Sequence, residues 1–240
     1  MPVHDWTQLS AGDFHDFHQG WIAGIRSKLN TDVLPETHYA QLERIPSRFS
    51  PEMDGIVEEV SSSGNTFDSV THPPQVAFAF EAENALYAHR KNRAAIHRAS
   101  DHRVVAYVEL VAPGDKLSYG AFETLIERTI KTLDQGIHVL LVDIQPLTAR
   151  DPQGLHGAIW SNLGGADYFA PPDQPFTQAA YVAGHVRKAY VEPCSIGDSL
   201  TSMPLFLTQE RYVPAPLEDG YLYSLAGMPR HLKRILEEAR

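Results

Sequence analysis

The stretch that decides the fold begins Val104-Val105-Ala106-Tyr107-Val108-Glu109-Leu110-Val111, passes through 118–135, and ends Ile137-His138-Val139-Leu140-Leu141-Val142-Asp143-Ile144. The first run is almost wholly apolar, as a central strand covered on both faces must be. Pro113-Gly114-Asp115 stops it. Between Ser118 and Gln135, Phe122, Leu125, Ile126, Ile130 and Leu133 recur at helical spacing, with Glu123, Glu127, Arg128 and Lys131 mostly opposite. That pattern predicts an amphipathic helix closed by Gly136. The second apolar run predicts another buried strand. Strand, crossover helix and strand form a βαβ unit, so the two strands are expected to be parallel neighbours. The fold class is α/β.

Upstream, Phe14, Phe17, Trp21, Ile22 and Ile25 predict a first helix over 13–30. Strands are expected at 38–45, 54–60 and 76–81, and a hairpin joins 93–98 to 103–111 around Ala99-Ser100-Asp101-His102. Beyond Pro146 the chain is richer in proline and glycine. One more strand is expected near an edge at 181–191, and 204–240 reads as an extended, proline-marked wrap ending in a short helix. No repeat or long linker interrupts the sequence. The expectation is a single domain over 1–240, with its core at about 13–145 and an extension over 146–240.

With 20 Lys+Arg against 30 Asp+Glu, the formal net charge of the 240 residues is −10. The 43% hydrophobic and 21% charged content is that of a globular chain, not a disordered one. A single cysteine, Cys194, excludes an internal disulfide and a cysteine-built zinc site. It reads as an inert thiol. No apolar run approaches the ~20 residues of a membrane helix, and Met1-Pro2-Val3-His4-Asp5-Trp6 lacks a secretory pattern, so a cytoplasmic protein is expected.

Glu109 is the residue out of place, since an ionised carboxylate among apolar neighbours needs a metal ion, a basic partner or the solvent end of its strand. Lys116, seven residues on, returns toward the same sheet end, and Asp54 opens another strand. Two carboxylates and a lysine converging there are the arrangement for metal-assisted phosphodiester hydrolysis. The alternative pairs Glu109 with a basic residue and leaves Lys116 in solvent. Glu43 is a further carboxylate candidate, equally suited to Arg44 or Arg48. His15 and His18, three apart on the first helix, have a spacing that suits zinc, against a plain hydrogen-bonding role for His18. From His89 to Arg103 lie five basic residues, Arg93 and Arg98 among them, against Asp101 alone. This is a candidate phosphate-contacting surface, or simply a charge-protected edge hairpin. Gly197-Asp198-Ser199-Leu200 matches an esterase block out of its context and is read as chance.

The run Arg98 to Lys116, with Val104-Val105-Ala106-Tyr107-Val108-Glu109-Leu110-Val111-Ala112-Pro113-Gly114-Asp115-Lys116 at its heart, resembles the central motif of the uncharacterised domain-of-unknown-function 4058 family. Gly136-Ile137-His138-Val139-Leu140-Leu141-Val142-Asp143 is similar to that family's next element, Asp16-Phe17-His18 to its first-helix "D-x-H", and Leu200 to Leu207 to a late proline-leucine block. The family is in turn similar to the Uma-type, PD-(D/E)XK restriction-endonuclease-like group. The resemblance implies a mixed central sheet flanked by helices. It also implies Asp54 and Glu109 as ligands of Mg²⁺ or Mn²⁺, Lys116 as a displaced catalytic lysine, and Asp16 and His18 near the cleft. Val111 stands where the usual lysine would be, and the proline before Asp54 is missing. Two functions follow: a Mg²⁺-dependent nuclease, or a binding or accessory protein, able to form a homo-oligomer, that keeps the fold without the chemistry.

Overall fold

A computed structural model describes residues 3–45 and 92–239. The strands expected at 54–60 and 76–81, and Asp54 with them, lie outside the described residues. Helix α1 (Ala11–Lys28) opens with a capping box: Ser10 Oγ accepts from the Asp13 amide, and the Asp13 carboxylate accepts from the Ser10 amide at 3.3 Å. The chain then runs through a π-helical turn, Leu29–Val33, into β1 (His38–Arg44). Strands β2 (Asn92–Arg98) and β3 (Val104–Leu110) form the expected hairpin. After the short helix α2 (Pro113–Lys116), Ser118 caps α3 (Tyr119–Asp134), and Gly136, at φ +80°, turns the chain into β4 (His138–Asp143). That left-handed φ is why glycine is needed there.

The described residues form a six-stranded sheet in the order β1-β2-β3-β4-β5-β6, completed by β5 (Phe176–Val182) and β6 (Lys188–Cys194). β3 and β4 are parallel and every other adjacent pair is antiparallel. A parallel pair cannot be closed by a tight turn, and α3 supplies the crossover. Side-chain alternation divides the sheet into two layers. Ala94, Ile96, Ala106, Val108, Leu110, Leu140 and Val142 face the cluster built around α1, and Val139, Leu141, Ala179 and Tyr181 face α3 and α4 (Gly154–Asn162). All of β4 and β5 is buried, so each strand is covered on both sides.

The edge strand expected at 181–191 straddles a turn: the structure places two strands, Phe176–Val182 and Lys188–Cys194, paired antiparallel. Thr177 and Gln178 are buried in β5 and interrupt its apolar pattern, which conceals it in the sequence. The expected wrap over 204–240 is also more ordered than its prolines suggest. It contains the two-stranded ladder β7 (Pro204–Phe206) and β8 (Tyr212–Pro214), then α5 (Leu217–Gly227) and α6 (Arg230–Glu238).

Helix α5 lies against α1 at glycine contacts. A Cβ on Gly220 would sit 2.6 Å from Ile25 Cγ1 and 3.0 Å from the Trp21 carbonyl, and one on Gly24 would sit 3.1 Å from Gly220 Cα. Close approach lets Tyr221 reach the aromatic group of Trp6, Phe17 and Trp21. Its hydroxyl accepts from the His4 amide and from Trp6 Nε1, both at 3.2 Å, and donates to His4 Nδ1 at 2.9 Å. Gly220→Ala is therefore expected to destabilise the protein by up to ~2 kcal/mol. Backbone overpacking typically costs ~1–3 kcal/mol, less the ~1 kcal/mol by which alanine favours a helix over glycine. A chemical-denaturation midpoint at or above that of the parent protein would contradict the tight α1–α5 contact.

Candidate functional site

Glu109 projects from β3 toward α3, opposite Leu141 in the register, with its side chain only 5% exposed. Its two oxygens are held by different guanidinium groups. Oε1 accepts from Arg93 Nη1 at 3.1 Å, and Oε2 accepts from Arg128 Nη2 at 3.0 Å. Arg93 belongs to β2, and its Nη2 reaches back to Glu43 Oε2 on β1 at 3.3 Å, while its Cζ lies 3.3 Å above the Tyr107 ring. An alternating chain of charges, Glu43–Arg93–Glu109–Arg128, thus ties β1, β2, β3 and α3 together. Burial alone would raise the Glu109 pKa, but Arg128 and Arg93 more than offset it and hold the carboxyl below its ordinary value. A groove of about 260 Å³ beside the network is lined by Arg93, Arg128, Lys131 and Gln135.

Lys116, the last residue of α2, is buried in a second ionic cluster rather than lying in solvent. Its Nζ is 2.7 Å from Asp143 Oδ2 and 2.7 Å from Asp151 Oδ2, and it donates to the carbonyl oxygens of Gln145 and Pro146 at 3.4 and 3.2 Å. Side-chain exposure is 4% for the lysine, 3% for Asp143 and at most that for Asp151. Burial works against the ammonium, yet Asp143 and Asp151 hold the Lys116 pKa above its usual value. Burial pushes the Asp143 carboxyl up to about 6, against the pull of Lys116 and of the Gln145 amide that donates to Oδ1. One lysine between two carboxylates leaves a net negative buried cluster at the sheet end where α2 meets β4.

These positions redraw the sequence-based site. Glu109 and Lys116 return to the same end of the β3–β4 pair, but each is satisfied by its own partners. Arg128, Asp143 and Asp151 are the residues sequence reasoning missed. Asp143 carries the same signal as Glu109, an acid closing an apolar strand, and Arg128 is hidden among the charges assigned to the solvent side of α3. Asp16 is exposed on α1. His18 is buried beneath α1, with Nε2 donating to the Leu110 carbonyl at 2.9 Å. It anchors α1 to the sheet. The residues in hand do not fit a divalent ion in this arrangement. Both Glu109 oxygens are occupied by guanidinium groups, and among the described residues no group of three or more His, Cys, Asp and Glu is placed to hold a metal.

Of the basic residues expected to contact phosphate, Arg93, Arg98 and Arg103 are among the described residues. Arg93 is buried, and Arg98 donates through Nε to Asp101 Oδ1 at 3.0 Å. Arg103 lies 3.6 Å from the same carboxylate, which Arg98 holds at a pKa of about 2. Arg90 and Lys91 lie outside the described residues. Cys194 is buried, and burial pushes its thiol up to about 12, as an inert cysteine requires. The 197–200 block serves as a structural tie: the Gly197 amide donates to the Val3 carbonyl at 2.9 Å, and the Val3 amide to the Asp198 carbonyl at 2.7 Å.

His156, on α4, accepts at Nδ1 from the Tyr181 hydroxyl at 2.8 Å, and burial lowers its pKa to about 4. A histidine kept neutral by the fold supports stability fully above its unfolded value near 6.5, and that support is lost as pH falls toward 4. The stability difference between the parent protein and His156→Gln is expected to shrink between pH 6.5 and 4. Urea midpoints at pH 7.5, 5.5 and 4.5 measure it, and a constant difference would refute the neutral imidazole.

Searches against protein-family models, curated proteins and solved structures returned no match. Among the described residues no helix is long and apolar enough to cross a membrane.

Proposed function

We propose that this chain is a binding or accessory protein that keeps the core of the restriction-endonuclease-like group without its hydrolytic chemistry. One observation carries the reading: Glu109, the carboxylate that would hold the metal, has both oxygens engaged by Arg93 and Arg128. A carboxylate neutralised in this way stabilises packing between strands and helix, and a divalent ion could use it only by displacing the buried guanidinium of Arg93 and the half-buried one of Arg128. The placement of Lys116 agrees, since its ammonium is directed at Asp143 and Asp151. The order α1, β1, β2, β3, α3, β4, with β3 and β4 parallel, supports the kinship with that group.

The test is calorimetry with Mn²⁺, together with incubation of plasmid and single-stranded DNA in Mg²⁺ or Mn²⁺, for the parent protein and for Asp54→Ala. We expect no saturable Mn²⁺ heat and no cleavage by either protein. Cleavage by the parent protein that Asp54→Ala abolishes would overturn this reading in favour of a nuclease using Asp54, Glu109 and Lys116.

A further inference from the structure

The open edge of the sheet carries an inference that does not depend on the reading above. Among the described residues β6 ends the sheet, with β5 on one side and no strand on the other. Pro193 has no N–H to give, so its pair with Thr177 is one of the antiparallel positions that exchange no hydrogen bond. Such positions alternate with bonded ones, which places Ala179–Val191 and Tyr181–Ala189 in the same class. The amides and carbonyls of Ala189 and Val191 therefore point away from β5, along the open side. A row of this kind is a template for another strand.

The side chains indicate which strand. Lys188, Tyr190 and Glu192 are exposed on one face of β6, while Ala189 and Val191 pack on the other against the α3–α4 layer. Among the described residues neither Lys188 nor Glu192 is held in an ion pair. Opposite charges placed two residues either side of Tyr190 are self-complementary. Antiparallel pairing of β6 with itself about Tyr190 sets Lys188 against Glu192 of a second copy, and does so twice by symmetry. The same register opposes Ala189 to Val191, so the outward amides and carbonyls answer one another. Neighbouring registers do worse. Moving the twofold axis to Val191 opposes Ala189 to Pro193, which lacks the donor, and moving it to Ala189 leaves Glu192 opposite Val186.

Packing around the strand agrees. Tyr190 is held against Phe206, with ring centroids 5.3 Å apart, so its exposed ring is positioned to meet its counterpart at the axis. Val186 and Ile196 are exposed just beyond the two ends of β6. Antiparallel pairing brings the Val186 end of each copy to the Ile196 end of the other. We propose that the chain forms a twofold dimer by pairing β6 with β6 of a second copy, centred on Tyr190, so that one sheet runs through both. A partner strand without this order of charges would leave Lys188 and Glu192 unanswered.

Analytical ultracentrifugation of the full chain tests it. An edge contact of this length makes a small interface, so a dimer with a Kd of about 1–100 µM is expected. Lys188→Glu and Glu192→Lys each set like charges opposite one another and should weaken the dimer tenfold or more. Combining the two changes restores opposite charges in the same register and should recover the parent affinity. Val191→Pro removes an outward amide that gives nothing to β5, so each copy keeps its own ladder while the dimer is lost. Thermal melts check that every variant remains folded, and the charge exchange decides the matter where Val191→Pro does not fold. A parent chain that is monomeric at about 100 µM, a folded Val191→Pro that still dimerises, or a double exchange as weak as the single changes would overturn the proposal.

Discussion

Lys116→Met is expected to lower stability by about 3–5 kcal/mol, because it leaves two buried carboxylates without their cation. Methionine fills a similar volume, so the loss reports on charge and not on a cavity. The effect should depend on pH in a definite direction. Without the ammonium, the buried Asp143 binds its proton more tightly in the folded chain than in the unfolded one. Its folded pKa then lies further above the unfolded one, and stability recovers as pH falls. The variant should thus be closest to the parent protein near pH 5 and furthest from it near pH 8. In the parent protein the lysine gives the opposite limb: its folded pKa is raised above 10.5, so its contribution is intact below that value and disappears as pH rises through the folded one. Adding Asp143→Asn and Asp151→Asn to Lys116→Met should recover most of the loss. Denaturant midpoints of the single and triple variants decide the matter, and a single variant as stable as the parent at pH 8 would mean that the cluster is not buried as described.

Glu109→Gln is expected to have a comparable effect, about 3–5 kcal/mol, corresponding to a fall in melting temperature on the order of 10 °C for a chain of this size. The substitution keeps shape and removes charge, so the buried Arg93 and the half-buried Arg128 are left with a neutral acceptor between them. Because the folded pKa of Glu109 lies below the ordinary carboxylate value, its contribution is present above the unfolded value of 4.5 and lost as pH falls through the folded one. The gap between parent and variant should therefore be constant from pH 6 to 8 and close in acid. Replacing all three residues with leucine or methionine should restore much of the stability, since a well-packed apolar trio is often as stable as a buried ion pair with its partner. A Glu109→Gln protein with unchanged melting at pH 7 would show that the carboxylate is free, and would reopen it as a metal ligand.

Much of the central architecture could be read from residue patterns. The apolar runs around Val108 and Leu140 are long enough to specify strands, and the helical spacing from Phe122 to Leu133 together with Gly136 specifies the crossover between them. Parallel pairing then follows from chain geometry alone. The elements that escaped are those whose burial is irregular or complete. Helix α5 carries Gly220 inside it, which sequence logic reads as a breaker, while in the fold that glycine is what lets α1 approach. Strand β5 hides Thr177 and Gln178 inside an apolar surrounding, and α4 opens with Gly154 at φ +72°, right after the Asp151-Pro152 turn.

For the candidate site the division falls within single residues. The sequence by itself determined that Glu109 had to be answered by something, because an ionised carboxylate in a covered strand cannot stand alone. It equally determined that Lys116 would return to the β3–β4 end. What answers Glu109 was decided only by tertiary structure. Arg93 reaches it from the neighbouring strand because β2 and β3 are antiparallel, and Arg128 reaches it from a helix 19 residues later in the chain. Likewise Asp143 and Asp151 meet Lys116 across about 30 residues of sequence. Local patterns fix periodicity and burial, which depend on neighbours along the chain. Charge compensation depends on neighbours in space, and the same carboxylate is a metal ligand or a structural ion pair according to which cation the fold brings to about 3 Å.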